Sequence, residues 1–273
     1  MAVDRPDLKL GVAGLGAIGL AVARAVDAGR VPGIRLAAAS ARDHAQARLA
    51  TQSFRSPPSL VDLATLAEAS DVVVECLPSS LFTEIAHPAI ERGRIFMPLS
   101  VGMLINHMPL VERASQTGAR IIVPTGALLG LDAVRATAEG RIASVTIVTR
   151  KPPAGLAGAP LLVERGISLD GLKQPLLVFE GSAREAIAGF PANVNVAVAL
   201  SLAGIGPDKT RCEIWADPGV TRNTHTIILK SDSSDLTMTI ENIPSENPRT
   251  GRITALSVLA ALRRLTAPLV VGS

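Results

Sequence analysis

The chain has 273 residues, and its 27 lysines and arginines against 24 aspartates and glutamates leave a net charge of only +3 with histidine neutral. Five phenylalanines, one tryptophan and no tyrosine exclude an enzyme that uses tyrosine as its acid or base, and they argue against single-strand nucleic-acid binding, which needs aromatic stacking platforms. Imidazole chemistry can rest on four histidines: His44, His87, His107 and His225.

The first 125 residues alternate between short apolar strands and stretches with helical apolar spacing. Strands are predicted over residues 9–13, 34–39, 71–75, 95–100 and 120–124. Helices are predicted over residues 17–28, 43–51, 59–67, 79–91 and 103–116. Such alternation is typical of right-handed crossovers and therefore predicts a parallel sheet.

The pattern changes after about residue 125, where strands begin to follow one another without helices between them. Helices are predicted over residues 129–139, 182–188, 195–204 and 253–265. Strands are predicted over residues 142–149, 211–216, 225–230 and 236–241, with a loop over 151–160. We therefore expect an α/β protein: a parallel sheet in residues 1–125, an α+β domain with a mixed or antiparallel sheet in 126–250, and a final helix in 251–273.

A glycine triplet lies between the first strand and the first helix. Gly14, Gly16 and Gly19 form G-x-G-x-x-G, in which the first glycine permits a tight turn, the second lets a pyrophosphate approach the backbone and the third lets helix and strand pack closely. The helix N-terminus adds unpaired N–H donors. The pattern predicts a Rossmann dinucleotide-binding domain, with Gly14, Gly16, Ala17, Ile18 and Gly19 at the cofactor.

The acidic residue expected about 20 positions further on, which would bind the ribose 2′-hydroxyl, is missing. Ser40 and Arg42 stand there instead and can accept a 2′-phosphate. This indicates NADP or use of both cofactors, although the same residues also tolerate NAD, and Arg42 can equally be a solvated residue at a helix start.

Among the four histidines, His225 has the most polar surroundings. It lies between a Pro218–Gly219 turn and a strand, next to Arg222 and Asn223, whereas the other three lie in segments typical of surface or structural positions. A histidine at a strand edge with polar neighbours can act as acid or base, because its ordinary pKa lies near neutrality. The alternative is a structural histidine with satisfied hydrogen bonds.

Two further polar clusters interrupt apolar sequence. Asn193 and Asn195 stand at a helix start, where they either cap the helix or bind nicotinamide or substrate. The segment ENIPSENPRTG carries Arg249 and Thr250 in a dense polar loop, which suits either a charged ligand or a plain turn.

The sequence also predicts the cellular location of the protein and the absence of a metal or nucleic-acid site. No apolar run of about 18 residues and no apolar leader core occur, so we expect a cytoplasmic protein without membrane contact. Cys76 and Cys212 are too few for a disulfide framework or a zinc site, and no metal site and no basic tract for nucleic acid are predicted.

Together these segments resemble the L-aspartate dehydrogenase family. The resemblance rests on the following segments: GLGAIG (14–19), DVVVE (71–75), LSVGML (99–104), VPTGALLGLDAV (123–134), FPANVNVAVALSLAGIGPD (190–208), DPGVTRNTH (217–225) and ENIPSENPRTGRITALSVLAAL (241–262). It implies a Rossmann domain, a second domain whose sheet carries the active site and mediates homodimerisation, and a last helix that returns to the first domain. It also implies that His225 is the catalytic histidine and that Ala127 and Asn195 contact the cofactor.

The resemblance implies NAD(P)-dependent oxidative deamination of L-aspartate to iminosuccinate, and then oxaloacetate and ammonia, or the reverse, as a source of precursor for NAD biosynthesis. Arg222 and Asn223 are the leading candidates for the substrate carboxylates, followed by Asn193, Thr250 and Arg249. Two alternatives stay open: another two-domain NAD(P) reductase acting on a dihydrodipicolinate-like or semialdehyde substrate, and a non-catalytic NAD(P)-binding sensor.

Overall fold

The computed structural model describes residues 6–191, 194–244 and 251–272. The chain divides into two units. The first contains the residues up to Pro124 together with Ala255–Val270, and the second is built on Thr125–Thr254.

The first unit contains a six-stranded parallel sheet with the strand order β3-β2-β1-β4-β5-β6. Its strands are β1 (Leu8–Ala13), β2 (Ile34–Ser40), β3 (Ser59–Leu60), β4 (Val72–Glu75), β5 (Ile95–Pro98) and β6 (Arg120–Ile121). Because β1 pairs with both β2 and β4, the strand order reverses at β1, and the crevice beyond the carboxyl ends of such strands is where open α/β sheets bind ligands.

The helices of this unit follow the strands in alternation. They are α1 (Ala17–Asp27), α2 (His44–Thr51), α3 (Leu63–Ala69), α4 (Phe82–Glu91), α5 (Val101–Ile105) and α6 (Pro109–Thr117), joined late in the chain by α11 (Ile253–Thr266). Small aliphatic side chains such as Val12 and Val74 fill the core, because the central strands are covered on both faces. Val258 and Leu262 of α11 lie in the same core.

The second unit contains a five-stranded mixed sheet with the order β11-β10-β7-β9-β8. Its strands are β7 (Ile142–Lys151), β8 (Leu176–Ser182), β9 (Arg211–Ala216), β10 (Asn223–Ser231) and β11 (Asp235–Asn242), and only the β7–β9 pair is parallel. Its helices are α7 (Leu131–Ala138), α8 (Pro160–Glu164), α9 (Ala183–Gly189) and α10 (Asn195–Ala203). Residues 196–201 of α10 are all buried, as expected for a helix that is apolar on every side. This α/β architecture, a parallel sheet followed by a mixed one, confirms the predicted fold class.

Several element bounds differ from the sequence-based expectation. The predicted helix over 59–67 is instead the short edge strand β3 followed by α3, which begins after Asp62 because the Asp62 carboxylate accepts the Thr65 N–H at 2.8 Å. The predicted helix over 103–116 is two helices, since Pro109 has no N–H to continue α5 and instead occupies the first turn of α6.

Three features of the second unit were not predicted. Strand β8 and the short helix α8 lie in segments without clear periodicity, and Lys151, placed in a loop by the sequence, is the last residue of β7. Across the parts of the chain that the structure describes, each helix is too short or too polar to span a membrane.

Candidate active site

The carboxyl ends of three central strands of the first unit lie in one row. Ala13 at the end of β1 is in register with Ser40 of β2 on one side and with Glu75 of β4 on the other. The loops that leave these strands therefore start side by side at one edge of the sheet, where the glycine loop also lies.

The three glycines of the triplet differ in what an added side chain would meet at each position. Gly14 has φ +96°, and a methyl group there would lie 2.6 Å from the Cys76 carbonyl oxygen. A methyl group at Gly19 would lie 1.9 Å from the Gly14 carbonyl oxygen, so α1 can approach the loop this closely only with glycine. A methyl group at Gly16 would meet no atom within 4 Å, which leaves open space beside the backbone.

The first turn of α1 is suited to an anion. Gly16 caps the helix without a side chain, no acidic residue lies in the first turn, and both Gly16 and Ala17 are exposed. Ile18 is half-buried and Gly19 buried. The open space at Gly16 and the unpaired N–H groups together fit a pyrophosphate.

The end of β2 carries the residues that the sequence analysis assigned to the ribose end of the cofactor. Ser40 is buried and its carbonyl oxygen accepts the Gly14 N–H at 2.8 Å, which joins this strand end to the glycine loop. Arg42 is exposed and has no side-chain partner among the described residues. The neighbouring Asp43 carboxylate is engaged as the cap of α2, where it accepts the Gln46 N–H at 3.0 Å.

Glu75 is a buried carboxylate that the sequence reading did not single out. Its two oxygens accept hydrogen bonds from the backbone N–H groups of Leu77, Leu99 and Ser100 and from the Ser100 hydroxyl, at 2.8 to 3.1 Å. Burial raises the pKa of this carboxyl, opposed by these hydrogen bonds. The side chain thereby holds the loop after β4 against the loop after β5.

In the second unit, His225 lies on the buried face of the mixed sheet. It is the third residue of β10 and is 3% exposed. Its Nδ1 shares a hydrogen bond of 3.0 Å with the Thr149 hydroxyl on the neighbouring strand β7. Its Nε2 has no hydrogen-bond partner within the described parts of the chain, so the ring is oriented at one nitrogen and available at the other.

The protonation state of His225 differs from the sequence-based expectation of a pKa near neutrality. Burial, with a smaller contribution from the positive charge of Lys151, lowers the pKa of His225 to about 3. The free protein thus presents a neutral imidazole. The same burial lowers the pKa of Lys151 to about 8.

The turn that leads into β10 is anchored to the sheet. Arg150 donates to the buried Asp217 carboxylate at 2.9 Å, and the Asp217 N–H donates to the Lys151 carbonyl oxygen at 2.8 Å. Asn223 opens β10 two residues before His225 and therefore points to the same face of the sheet. Arg222 lies just before the strand with an exposed side chain, so the strand alternation supports Asn223 more directly than Arg222 as a neighbour of His225.

The predicted cofactor residues of the second unit lie in two places. The Ala127 carbonyl oxygen accepts the side-chain N–H of Asn242 at 3.0 Å, and Asn242 is in register with Asn223, so the Ala127 loop is tied to the same end of the sheet. Asn195 is the half-buried first residue of α10. Asn193, Arg249 and Thr250 lie outside the described residues.

Sequence reasoning missed Thr149 and Lys151, and it placed Asn242 in a polar loop without a partner. A signal for the first two was present in β7, where Val145 and Ile147 are buried in alternation. Continuing that alternation places residues 149 and 151 on the buried face too. A lysine on the buried face of a strand is rare, and its presence there marks a candidate site.

An open glycine loop at the switch point of a parallel sheet, together with a second sheet that carries a buried, oriented histidine, defines a two-domain pyridine-nucleotide dehydrogenase. Known proteins agree with this class. The family model described as Aspartate dehydrogenase, C-terminal, matches residues 132–265, and the model described as Homoserine dehydrogenase, NAD binding domain, matches residues 14–124.

Relatives and one solved structure narrow the class. L-aspartate dehydrogenase 3 of Bordetella bronchiseptica is 55% identical over 270 residues, covering 99% of both chains. L-aspartate dehydrogenase of Bradyrhizobium diazoefficiens is 54% identical and covers 98% of this chain and 95% of its own. The crystal structure of aspartate dehydrogenase from Thermotoga maritima superimposes with a TM-score of 0.76 at 25% identity, covering 97% of this chain and 99% of that one. The chain belongs to the aspartate dehydrogenase family.

Proposed function

We propose that this protein interconverts L-aspartate and oxaloacetate with a nicotinamide cofactor. In the oxidative direction, L-aspartate and NAD(P)⁺ give iminosuccinate, NAD(P)H and a proton, and water then converts iminosuccinate into oxaloacetate and ammonia. The observation that carries the proposal is the neutral, buried and oriented imidazole of His225 in a chain of this family. The bound nicotinamide supplies the hydride chemistry by accepting hydride from the substrate α-carbon.

His225 performs the proton transfers in this proposal. Its Nε2 takes the proton that the amino group loses as the C=N bond forms and returns it to the departing nitrogen. The proton that the attacking water loses is then the one released overall. Thr149 keeps the ring in place through Nδ1 throughout. Because the imidazole is neutral in the free protein, the Nε2 lone pair can accept a proton in the oxidative direction once the negatively charged substrate raises the lowered pKa of His225.

Cofactor binding is proposed at Gly14, Gly16, Ala17, Ile18 and Gly19, which suit the pyrophosphate. Ala127 and Asn195 are proposed as further cofactor contacts on the family resemblance. Ser40 and the exposed Arg42 suit a 2′-phosphate, while Asp43 is engaged as a helix cap, so use of NADP as well as NAD is proposed.

Substrate carboxylates are proposed to bind near the first residues of β10. Asn223 shares the face of His225 and is supported by the strand alternation. Arg222, Asn193 and Thr250 remain proposals from the sequence and from the family resemblance.

A homodimer through the outer face of the mixed sheet is also proposed. Ile228 and Leu177 are apolar, 38% and 36% exposed, and point to the same outward face as Trp215. Light scattering on the purified protein tests this, and a monomer would refute it.

A cytoplasmic location is proposed as well, and fits the two free cysteines.

The deciding experiment follows the absorbance of NADH or NADPH with oxaloacetate and ammonia. We expect turnover, and His225→Ala to lower kcat about 100-fold or more without changing the dissociation constant of the cofactor. His87→Ala, at an exposed position, is the matched control. Turnover only with a semialdehyde or dihydrodipicolinate would favour another reductase, and cofactor binding without any turnover would favour a sensor.

A further inference from the structure

The polar residues at one end of the mixed sheet share its buried face. His225 is in register with Thr149 across the β10–β7 pair, and Lys151 lies two residues beyond Thr149 on β7. Since side chains alternate along a strand, Lys151, Thr149 and His225 all point to one side. The preceding residues on that face of β7, Val145 and Ile147, are buried and apolar, so the polar group forms a distinct end to an apolar surface.

The position of Lys151 is energetically unfavourable for an ammonium group, because burial removes the water that would solvate its charge. The residue is 5% exposed, and lysine is almost never this buried without a specific reason. Its charge acts directly on His225, because it contributes to lowering the pKa of that imidazole. This agrees with the register, which places the two residues on one face of adjacent strands.

Asn223 completes the group. Thr224 pairs with Arg150, and one further step along the same antiparallel register brings Asn223 opposite Lys151. An added methyl group at Gly155 would lie 3.9 Å from both the Asn223 side-chain oxygen and the Lys151 Cβ, which confirms that the two residues are neighbours. Lys151, Asn223 and His225 thus lie on one face at the same end of the sheet.

We propose that Lys151 binds one of the two substrate carboxylates beside His225. The inference rests on the proposed function, since it takes the ligand to be a dicarboxylate such as oxaloacetate or aspartate. An ammonium group in a water-poor site gains most from a carboxylate, because the charges are screened little there. The bound carboxylate would also offset the field of Lys151 at His225 and so favour proton uptake by the imidazole during the reaction.

The test compares Lys151→Met, which removes the charge at similar length, with Lys151→Arg, which keeps it. The first readout is the dissociation constant of succinate, a non-reacting dicarboxylate, by isothermal titration calorimetry. The second is KM for oxaloacetate. Loss of a charge-assisted contact predicts that Lys151→Met weakens succinate binding and raises KM by about 30-fold or more, with kcat changed far less. Lys151→Arg should recover part of both.

Lys230→Met provides the matched control, since Lys230 lies on the same strand as His225 with an exposed side chain and should leave both readouts unchanged. The melting temperature of Lys151→Met, measured beside that of the unchanged protein, shows whether the variant keeps its fold. If it does not fold, Lys151→Gln provides the neutral substitution instead.

Two results would overturn the assignment: succinate affinity and KM within about threefold of the unchanged protein, or a change confined to the pH profile of kcat, which would mean that Lys151 acts only through His225. If the unchanged protein binds succinate through Lys151 but never turns over oxaloacetate, the proposed function fails while the carboxylate site stands.

Discussion

Burial of a neutral His225 makes the stability of the second unit depend on pH. The pKa of His225 is lowered to about 3 in the folded state, whereas an unfolded histidine titrates near 6.5. As pH falls below about 6.5, His225 becomes protonated in the unfolded chain but stays neutral in the folded chain. The free energy of unfolding therefore decreases with falling pH. At about pH 5 the unfolded histidine is protonated roughly 30 to 1, and RT times the logarithm of that ratio is about 2 kcal/mol. At about pH 8 the penalty is close to zero.

The perturbation that isolates this penalty is His225→Asn, since an asparagine amide reaches about as far as Nδ1 and can keep the Thr149 hydrogen bond. Urea unfolding is followed through the fluorescence of Trp215, the single tryptophan, which lies on β9 of the same sheet. Between about pH 8 and pH 5 the unchanged protein should lose about 2 kcal/mol more than the variant.

Other acid-sensitive groups cancel in this comparison, because they are present in both proteins. His87→Asn, which removes an exposed histidine instead, should follow the unchanged protein at both pH values. If His225→Asn loses as much stability as the unchanged protein between the two pH values, the imidazole is not held neutral and the reasoning fails.

The remaining predictions concern the cofactor. Gly16→Ala should leave the melting temperature unchanged, because its methyl group meets no atom within 4 Å, yet weaken NADH binding about tenfold or more by filling the space assigned to the pyrophosphate. Gly19→Ala should instead destabilise the protein by a few kcal/mol, because its methyl group would lie 1.9 Å from the Gly14 carbonyl oxygen; equal effects of the two variants on stability would contradict this division of roles. Arg42→Ala should raise KM for NADPH about tenfold or more and leave KM for NADH nearly unchanged, as measured by steady-state kinetics with each cofactor. An equal rise in both KM values would reject the 2′-phosphate role of Arg42.

The sequence by itself determined the local features. Alternating apolar strands and helices predicted the parallel sheet, because periodicity within a segment reports which of its faces is buried. The glycine triplet predicted its loop equally well, since the φ of +96° at Gly14 and the close approach at Gly19 are constraints among residues near one another in the chain. The polar neighbours of His225 likewise distinguished it from the other histidines.

The boundaries of elements were less predictable where two local signals competed. Residues 103–116 have helical spacing throughout, but the missing N–H of Pro109 divides them into two helices. Strand β8 has too little alternation to be recognised, since it forms at the edge of its sheet by pairing with the distant β9.

Only the tertiary structure decided what surrounds the candidate catalytic histidine. Thr149 meets His225 across 76 positions of sequence, and Asn242 reaches Ala127 across 115. Strand register is a long-range property, so no window of sequence around His225 contains Lys151 or Thr149. The lowered pKa of His225 depends on the same assembly, because only folding removes water from the imidazole and brings the charge of Lys151 close enough to act on it.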